Sequence, residues 1–330
     1  MRRSISTAAG VLLAATTLAA ASGYHVVGEI QLGGEGGWDY LTVDSVARRL
    51  YVSHATHVAV VDLDSNKVVG DIPDTPGVHG IAIAPELNKG FISNGRGNTV
   101  TIFDLKTLKS AGTVATGENP DAIRYDASSG RVFAFNGRSK SATAIDARTG
   151  QVSATIPLPG KPEFSVADGK GRIYVNIEDT GELVEIDAAK GTVTKKYSLS
   201  PCNEPSGLAL DAKSRRLFSV CANRIMAISD PDAGKVVTTL PIGAGADGAA
   251  FDSATGYAFS SNGDGTLTVV QQTGGKWEVV ENIATERGAR TIAVDEKTHK
   301  VYVPTAKAAP SSVGRTTFLP NTFKVLVVGK

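Results

Sequence analysis

One phrase recurs seven times along the chain, and its period predicts an all-β protein, a seven-bladed β-propeller of four-stranded blades. Gly37-Trp-Asp39-Tyr-Leu-Thr-Val-Asp44 returns as Pro120-Asp121-Ala-Ile-Arg-Tyr-Asp126, Pro162-Glu163-Phe-Ser-Val-Ala-Asp168 and Ala246-Asp247-Gly-Ala-Ala-Phe-Asp252. The residue five before the closing position marks each repeat as Asp39, His79, Asp121, Glu163, Ser206, Asp247 and Arg290, at spacings of 40, 42, 42, 43, 41 and 43. A period near 42 built from short strands is the signature of propeller blades. No stretch beyond the N-terminus holds an amphipathic helical period, so almost no helix is expected.

Blade 2 shows the elements in order. His79 to Ala84 is a short apolar inner strand, Gly90 to Asn94 a second, Asn98 to Asp104 a third and Lys109 to Val114 the outermost. Alternating β-branched and aromatic residues between Asn, Asp and Gly turns give each its strand character. Inner strands such as Thr291 to Val294 are nearly continuous apolar runs, which places the core between blades that pack on both faces. Blade 7 has an inner strand at Thr291 to Val294, a second at Lys300 to Thr305 and a third at Phe323 to Val328, and then the chain stops. Its fourth strand is expected from Tyr24 to Leu32, which resembles the outer strands Lys67 to Ile72 and Lys235 to Leu240. Such pairing of first strand with last removes an exposed edge.

Residues 1–21 read as a signal peptide, with Arg2 and Arg3 before an apolar run from Ala8 to Ala20 and small residues at the cleavage site. Residues 22–330 then form a single propeller domain, periplasmic or secreted, with no membrane span. Without residues 1–21 the chain has 32 basic and 33 acidic residues, a balance that gives no global field for steering polyanions. In an exported chain its two cysteines read as a disulfide. Cys202 lies just before the inner strand of blade 5 and Cys221 ends the second, at the same end of adjacent strands. Closing a loop of about 20 residues contributes roughly 3 kcal/mol in the chain-entropy model. A thiolate metal site lacks a second cysteine pair or a nearby histidine.

Tyr51-Val-Ser-His54, Phe91-Ile-Ser-Asn94, Tyr174-Val-Asn176 and Tyr302-Val-Pro-Thr305 resemble the repeat motif of the YVTN, or YncE-like, β-propellers. The resemblance spans Tyr24 to Lys330, with departures at Phe218-Ser-Val-Cys221, Phe259-Ser-Ser-Asn262 and Pro304. It implies a seven-bladed, exported bacterial protein, and single-stranded DNA binding as in one member of the family. Function does not transfer with the fold, because sites are grafted on folds.

The chemistry is expected where the repeat breaks its own symmetry. The seven markers precede the inner strands, and the loops after the second strands emerge at the same end of the propeller. Asp39, His79, Asp121, Glu163, Ser206, Asp247 and Arg290 therefore ring one mouth of the central channel, with Arg290 between two acids and His79 between two others. The loops add His54, His57, Asn94, Arg96, Asn136, Arg138, Asn176, Glu178, Asn262 and Asp264. Convergent donors and acceptors in such a funnel suit a small-molecule or protein ligand. Four carboxylates at one mouth repel unless a cation or cationic ligand relieves them. Against this stand ordinary structural roles, since acids cap backbone N–H groups and Asn-Gly pairs form turns.

No cofactor is required by the pattern, and a divalent metal is the one it admits. A metal-assisted lactonase or lyase is thus the rival to a binding or scaffold module, although no nucleophile elbow or triad is present. Nucleic acid is disfavoured: Trp38, Tyr40, Arg96, Arg138, Lys140 and Arg290 are candidates for stacking and phosphate contact, but the mouth's acids oppose a polyanion. The Gly33 to Gly37 run precedes a strand and so lacks the context of a phosphate cradle. An insertion from Lys307 to Thr322, carrying Arg315, Phe318 and Leu319, is the candidate lid.

Overall fold

A computed structural model describes residues 23–309 and 317–330. The expected signal peptide and Arg315 lie outside the described residues. The described chain forms seven four-stranded antiparallel sheets, six of them running inner to outer in chain order. In blade 3 the strands are Pro120–Asp126, Arg131–Asn136, Ser141–Asp146 and Val152–Pro157. Among the described residues the helical content is a single 3-10 turn, Pro85–Leu87, where Pro85 has no N–H to give to a strand ladder.

Blade 7 is completed by the first strand of the chain. His25–Gln31 pairs antiparallel with Lys324–Gly329, which follows Lys300–Thr305 and the short inner strand Ala293–Asp295. That inner strand starts two residues later than expected. Thr291 adopts a left-handed φ of 58° and turns its hydroxyl to the Asp39 carbonyl of blade 1, 2.7 Å away. The backbone there serves the blade 7 to blade 1 junction instead of the ladder.

The core lies between blades. Phe133 and Phe135 of blade 3 pack on Ile173, Val175 and Ile177 of blade 4, and Tyr302, Val325 and Val327 of blade 7 pack on Leu50 and Val52 of blade 1. These side chains are essentially inaccessible, and full burial of one such side chain stabilises by roughly 1.5–3 kcal/mol. Outer strands such as Ser110–Ala115 are mostly exposed. Inner strands approach most closely at Gly207, where a Cβ would stand 2.6 Å from the Ala249 nitrogen.

A second set of joints repeats at the other end of the inner strands. The residue just before each second strand is left-handed: Arg48, Asn88, Gly130, Gly171, Arg215, Gly256 and His299. Glycine meets this geometry without a Cβ penalty, and asparagine tolerates it. The three larger residues use the turn to reach the closing acid of the preceding blade. Arg48 meets Asp295 at 2.7 Å, Arg215 meets Asp168 at 3.4 Å and His299 meets Asp252 at 2.9 Å. Backbone strain at these turns is thereby offset by contacts that tie neighbouring blades, an ion pair for each arginine and a hydrogen bond for His299.

Cys202 and Cys221 are disulfide-bonded, with Cα atoms 5.5 Å apart. Pro205 pairs with Cys221 in the ladder, which brings the residue ahead of the inner strand alongside the end of the second.

Candidate functional site

Strand geometry sets five of the seven markers at a break in the ladder. In blades 2 to 6 the ladder between first and second strands shifts register at the marker, between Val78 and Ile81, Pro120 and Ile123, Pro162 and Ser165, Pro205 and Leu208, and Ala246 and Gly248. A bulge of this kind leaves a residue unpaired and re-aims its side chain. Asp39 and Arg290 achieve the same placement by lying ahead of their inner strands. The Asp39 backbone is fixed by Ser53 Oγ, which accepts from its N–H at 2.9 Å, and by Thr291, which donates to its carbonyl.

The acids gather in three groups, each with a cation from the chain. His79 Nδ1 donates to Asp39 Oδ2 at 2.5 Å and lies 3.6 Å from Asp121 Oδ1. Lys161 donates to Glu163 at 2.5 Å and to Glu178. Arg290 meets Asp247 at 3.4 Å, donates to the Trp38 carbonyl at 3.0 Å and lies over the Trp38 ring. The ring order read from the sequence thus gives true neighbours. Lys161 was not read as part of the site; its position two residues before Glu163, on the run into an inner strand, was the available signal.

Burial and crowding dominate the electrostatics. Asp121 is raised by burial first and then by Asp39, and Glu163 by burial and then by Asp121. Asp247 is pushed up to about 6 by burial and Asp39. The Tyr40 hydroxyl, buried beneath the same acids, is held far above its ordinary range. Burial disfavours the His79 cation, but its bond to Asp39 and the charges of Asp121, Asp39 and Glu163 outweigh this and lift it to about 9.

A pH dependence follows from His79. Its folded pKa exceeds its unfolded one, so its stabilisation is complete below about pH 6.5 and is lost as pH rises through about 9. The imidazole is 28 % exposed, which discounts the effect to roughly 2 kcal/mol. We expect the Tm to fall over this window and His79→Gln to flatten that fall. A slope unchanged in the variant contradicts the assignment.

The remaining predicted residues are distributed differently. Ser206 Oγ donates to the Ala246 carbonyl at 3.2 Å. Asn94, Asn136 and Asn262 are buried, and their amides donate to hydroxyls on the third strand: Thr99 and Thr101, Ser141 and Thr143, Thr266 and Thr268. They were read as funnel groups, whereas the structure uses their amide nitrogens to tie the second strand to the third. Among the described residues the Oδ1 atoms of Asn94 and Asn136 have no hydrogen-bond partner, and they too are buried.

His54 is also turned into the structure. Its ring packs on Phe323 and His57, and burial, then His57, lowers its pKa to about 4. A neutral core imidazole replaces the expected loop ligand. Arg138 is exposed. Exposed Arg96 lines a cavity of about 820 Å³ with Arg287, Arg290, Glu35 and Phe318, a cationic pocket beside the acid ring. In the insertion, Phe318 bridges to Ala308 and packs on Trp38 at 4.6 Å, which anchors that strand of the loop at the rim.

Asp39, His79 and Asp121 each offer a ligand atom, and these atoms lie within 4.8 Å of one another. No described helix is long and apolar enough to cross a membrane.

No family model and no curated protein matches the chain. Among solved structures it is similar to a chain of Kuenenia stuttgartiensis hydrazine synthase, with a TM-score of 0.71 and 15% identity over 82% of this chain and 92% of that one. At that identity the likeness is one of fold: both chains share the β-propeller architecture.

Proposed function

We propose that this protein is an exported binding or scaffold module of the YVTN-repeat kind, one propeller domain over residues 22–330 after a signal peptide at 1–21. Its ligand sits at the acid-lined mouth, with a cationic group against Asp39, Asp121 and Asp247. The observation that carries this reading is the crowding of partly buried carboxylates there: three of them are held above the ordinary carboxylate range even with His79, Lys161 and Arg290 nearby. An added cation offsets both the burial and the mutual repulsion that raise them. The cationic pocket beside the ring suits an acidic group on the same ligand, so a zwitterion fits the mouth as a whole. The disulfide suits an oxidising compartment.

A divalent metal is the second reading, favoured by the Asp39, His79 and Asp121 triad. Two carboxylates and an imidazole form an oxygen and nitrogen set that suits Zn²⁺ or Mn²⁺. The fit is conditional, because His79 Nδ1 carries the proton shared with Asp39 and a metal must displace it. Bound there, a metal supplies Lewis acidity for a lactonase or lyase, while Glu163 and Tyr40 are the nearby groups able to hold a proton. Elemental analysis after dialysis against Zn²⁺ or Mn²⁺ separates the two. Stoichiometric metal lost in Asp121→Asn favours the metal reading; metal-free protein at neutral pH favours the organic cation.

Single-stranded nucleic acid is not the ligand we propose. Trp38 is 4 % exposed, stacked on Phe323 and covered by Arg290, so it offers no free face to a base. Tyr40 packs on Phe164 under the acids. Phosphates meet carboxylates at this mouth, and phosphate neutralisation dominates such affinity.

A further inference from the structure

Below the mouth, the channel itself breaks symmetry at one residue. Three positions after each marker, the inner strand carries Thr42, Ala82, Val166, Ala209, Ala250 or Ala293, each opposite an aromatic residue of the second strand. In blade 3 the equivalent position, opposite Phe133, is Arg124. All of these except Ala82 line a central cavity of about 540 Å³. Its other walls include Leu208, Phe251 and Ile292, and its lining contains none of the seven markers.

Part of the arginine has a structural task. Nε and Nη2 donate to the Ser165 carbonyl at 3.1 and 2.6 Å, and the guanidinium lies 5.4 Å from the centre of the Phe164 ring. Blade 1 does the same with far less, since the Thr42 hydroxyl donates to the equivalent carbonyl of Ile81 at 2.6 Å. A guanidinium has five N–H donors, and among the described residues Nη1 has no hydrogen-bond or ion-pair partner. Asp126 and Glu296 line the same cavity, but neither pairs with Arg124. Burial alone lowers its pKa, with no carboxylate acting in the other direction, and an arginine stays charged at neutral pH.

We propose that the central channel is a second binding site, for a small organic monoanion whose carboxylate takes the Nη edge of Arg124 and whose apolar body lies along the alanine-rich wall. A carboxylate matches the guanidinium fork in two parallel hydrogen bonds. The alanine-rich part of the wall and the volume suit a small ligand fixed by a few polar contacts. The site is independent of the mouth reading, since its lining excludes the acid ring.

Calorimetric titration of the full chain with hexanoate, hexan-1-ol and inorganic phosphate tests this. Hexanoate is expected to bind one to one, and the alcohol and phosphate at least about tenfold more weakly. Arg124→Met should weaken hexanoate by at least about tenfold. Ala209→Leu, which fills the lumen without touching the cation, should weaken it comparably, and decides alone if Arg124→Met does not fold. Hexanoate that fails to bind, binds no better than hexanol, or binds equally well to a folded variant overturns the proposal.

Discussion

Deleting Tyr24 to Leu32 is expected to abolish cooperative folding and drive the chain to aggregate. The lost strand His25–Gln31 supplies the whole outer edge of blade 7. Its partner Lys324–Gly329 is buried along its entire length, so deletion exposes an unpaired edge of sequence Lys-Val-Leu-Val-Val-Gly. Long apolar edges of this kind recruit other chains. Tyr24 and Ile30 are 3 % and 2 % exposed, and the Tyr24 hydroxyl donates to the His299 carbonyl at 2.8 Å. Losing two such side chains costs roughly 3–6 kcal/mol before the ladder is counted, a large part of the 5–15 kcal/mol by which domains are commonly stable. Size-exclusion chromatography and a thermal scan check this. A truncated chain with unchanged elution and Tm contradicts the closure role.

Asp295→Ala should destabilise by about 3–5 kcal/mol. The carboxylate is fully buried, accepts from Arg48 at 2.7 Å and from Thr298 Oγ1 at 2.6 Å, and is held below the ordinary carboxylate range because these bonds outweigh its burial. Removing it leaves the Arg48 guanidinium, itself 11 % exposed, with only the exposed Asp64 as partner. The penalty is therefore a mostly buried charge left with one exposed partner at the blade 7 to blade 1 seam, where ring closure is already made by a single strand. Urea unfolding of Asp295→Ala and of the double variant Arg48→Met with Asp295→Leu measures it. The double variant should recover most of the loss, because a buried pair replaced whole leaves no orphan charge. A single variant within about 0.5 kcal/mol of the parent contradicts the argument.

The repeat made the fold legible because each blade restates the same strands and turns in the same order, six of the seven with the closing acid. Ring closure was readable for the same reason: Tyr24 to Leu32 looks like the other outer strands and has no partner of its own in sequence. The markers' ring neighbours followed from counting, which put His79 beside Asp39 and Asp121 and Arg290 beside Asp247.

What was not legible depends on where side chains turn. Asn94, Asn136 and Asn262 sit in loops by sequence, yet each is followed six or seven residues later by a hydroxyl residue that absorbs its amide. Those hydroxyls were the overlooked signal. His54 ends a strand whose alternation carries its ring inward against Phe323, a contact between residues 269 positions apart that no local pattern reveals. Arg124 and its six smaller counterparts can be counted from the markers in the sequence, but that most of them line one cavity is visible only in the fold.

The most direct test of the mouth as a binding site is a native mass spectrum of the protein purified from its own host, alongside Asp121→Asn with His79→Gln. The account predicts a stoichiometric adduct of constant mass on the parent chain that is missing from the double variant. A parent chain that flies at its bare mass, or an adduct that persists in the variant, contradicts it.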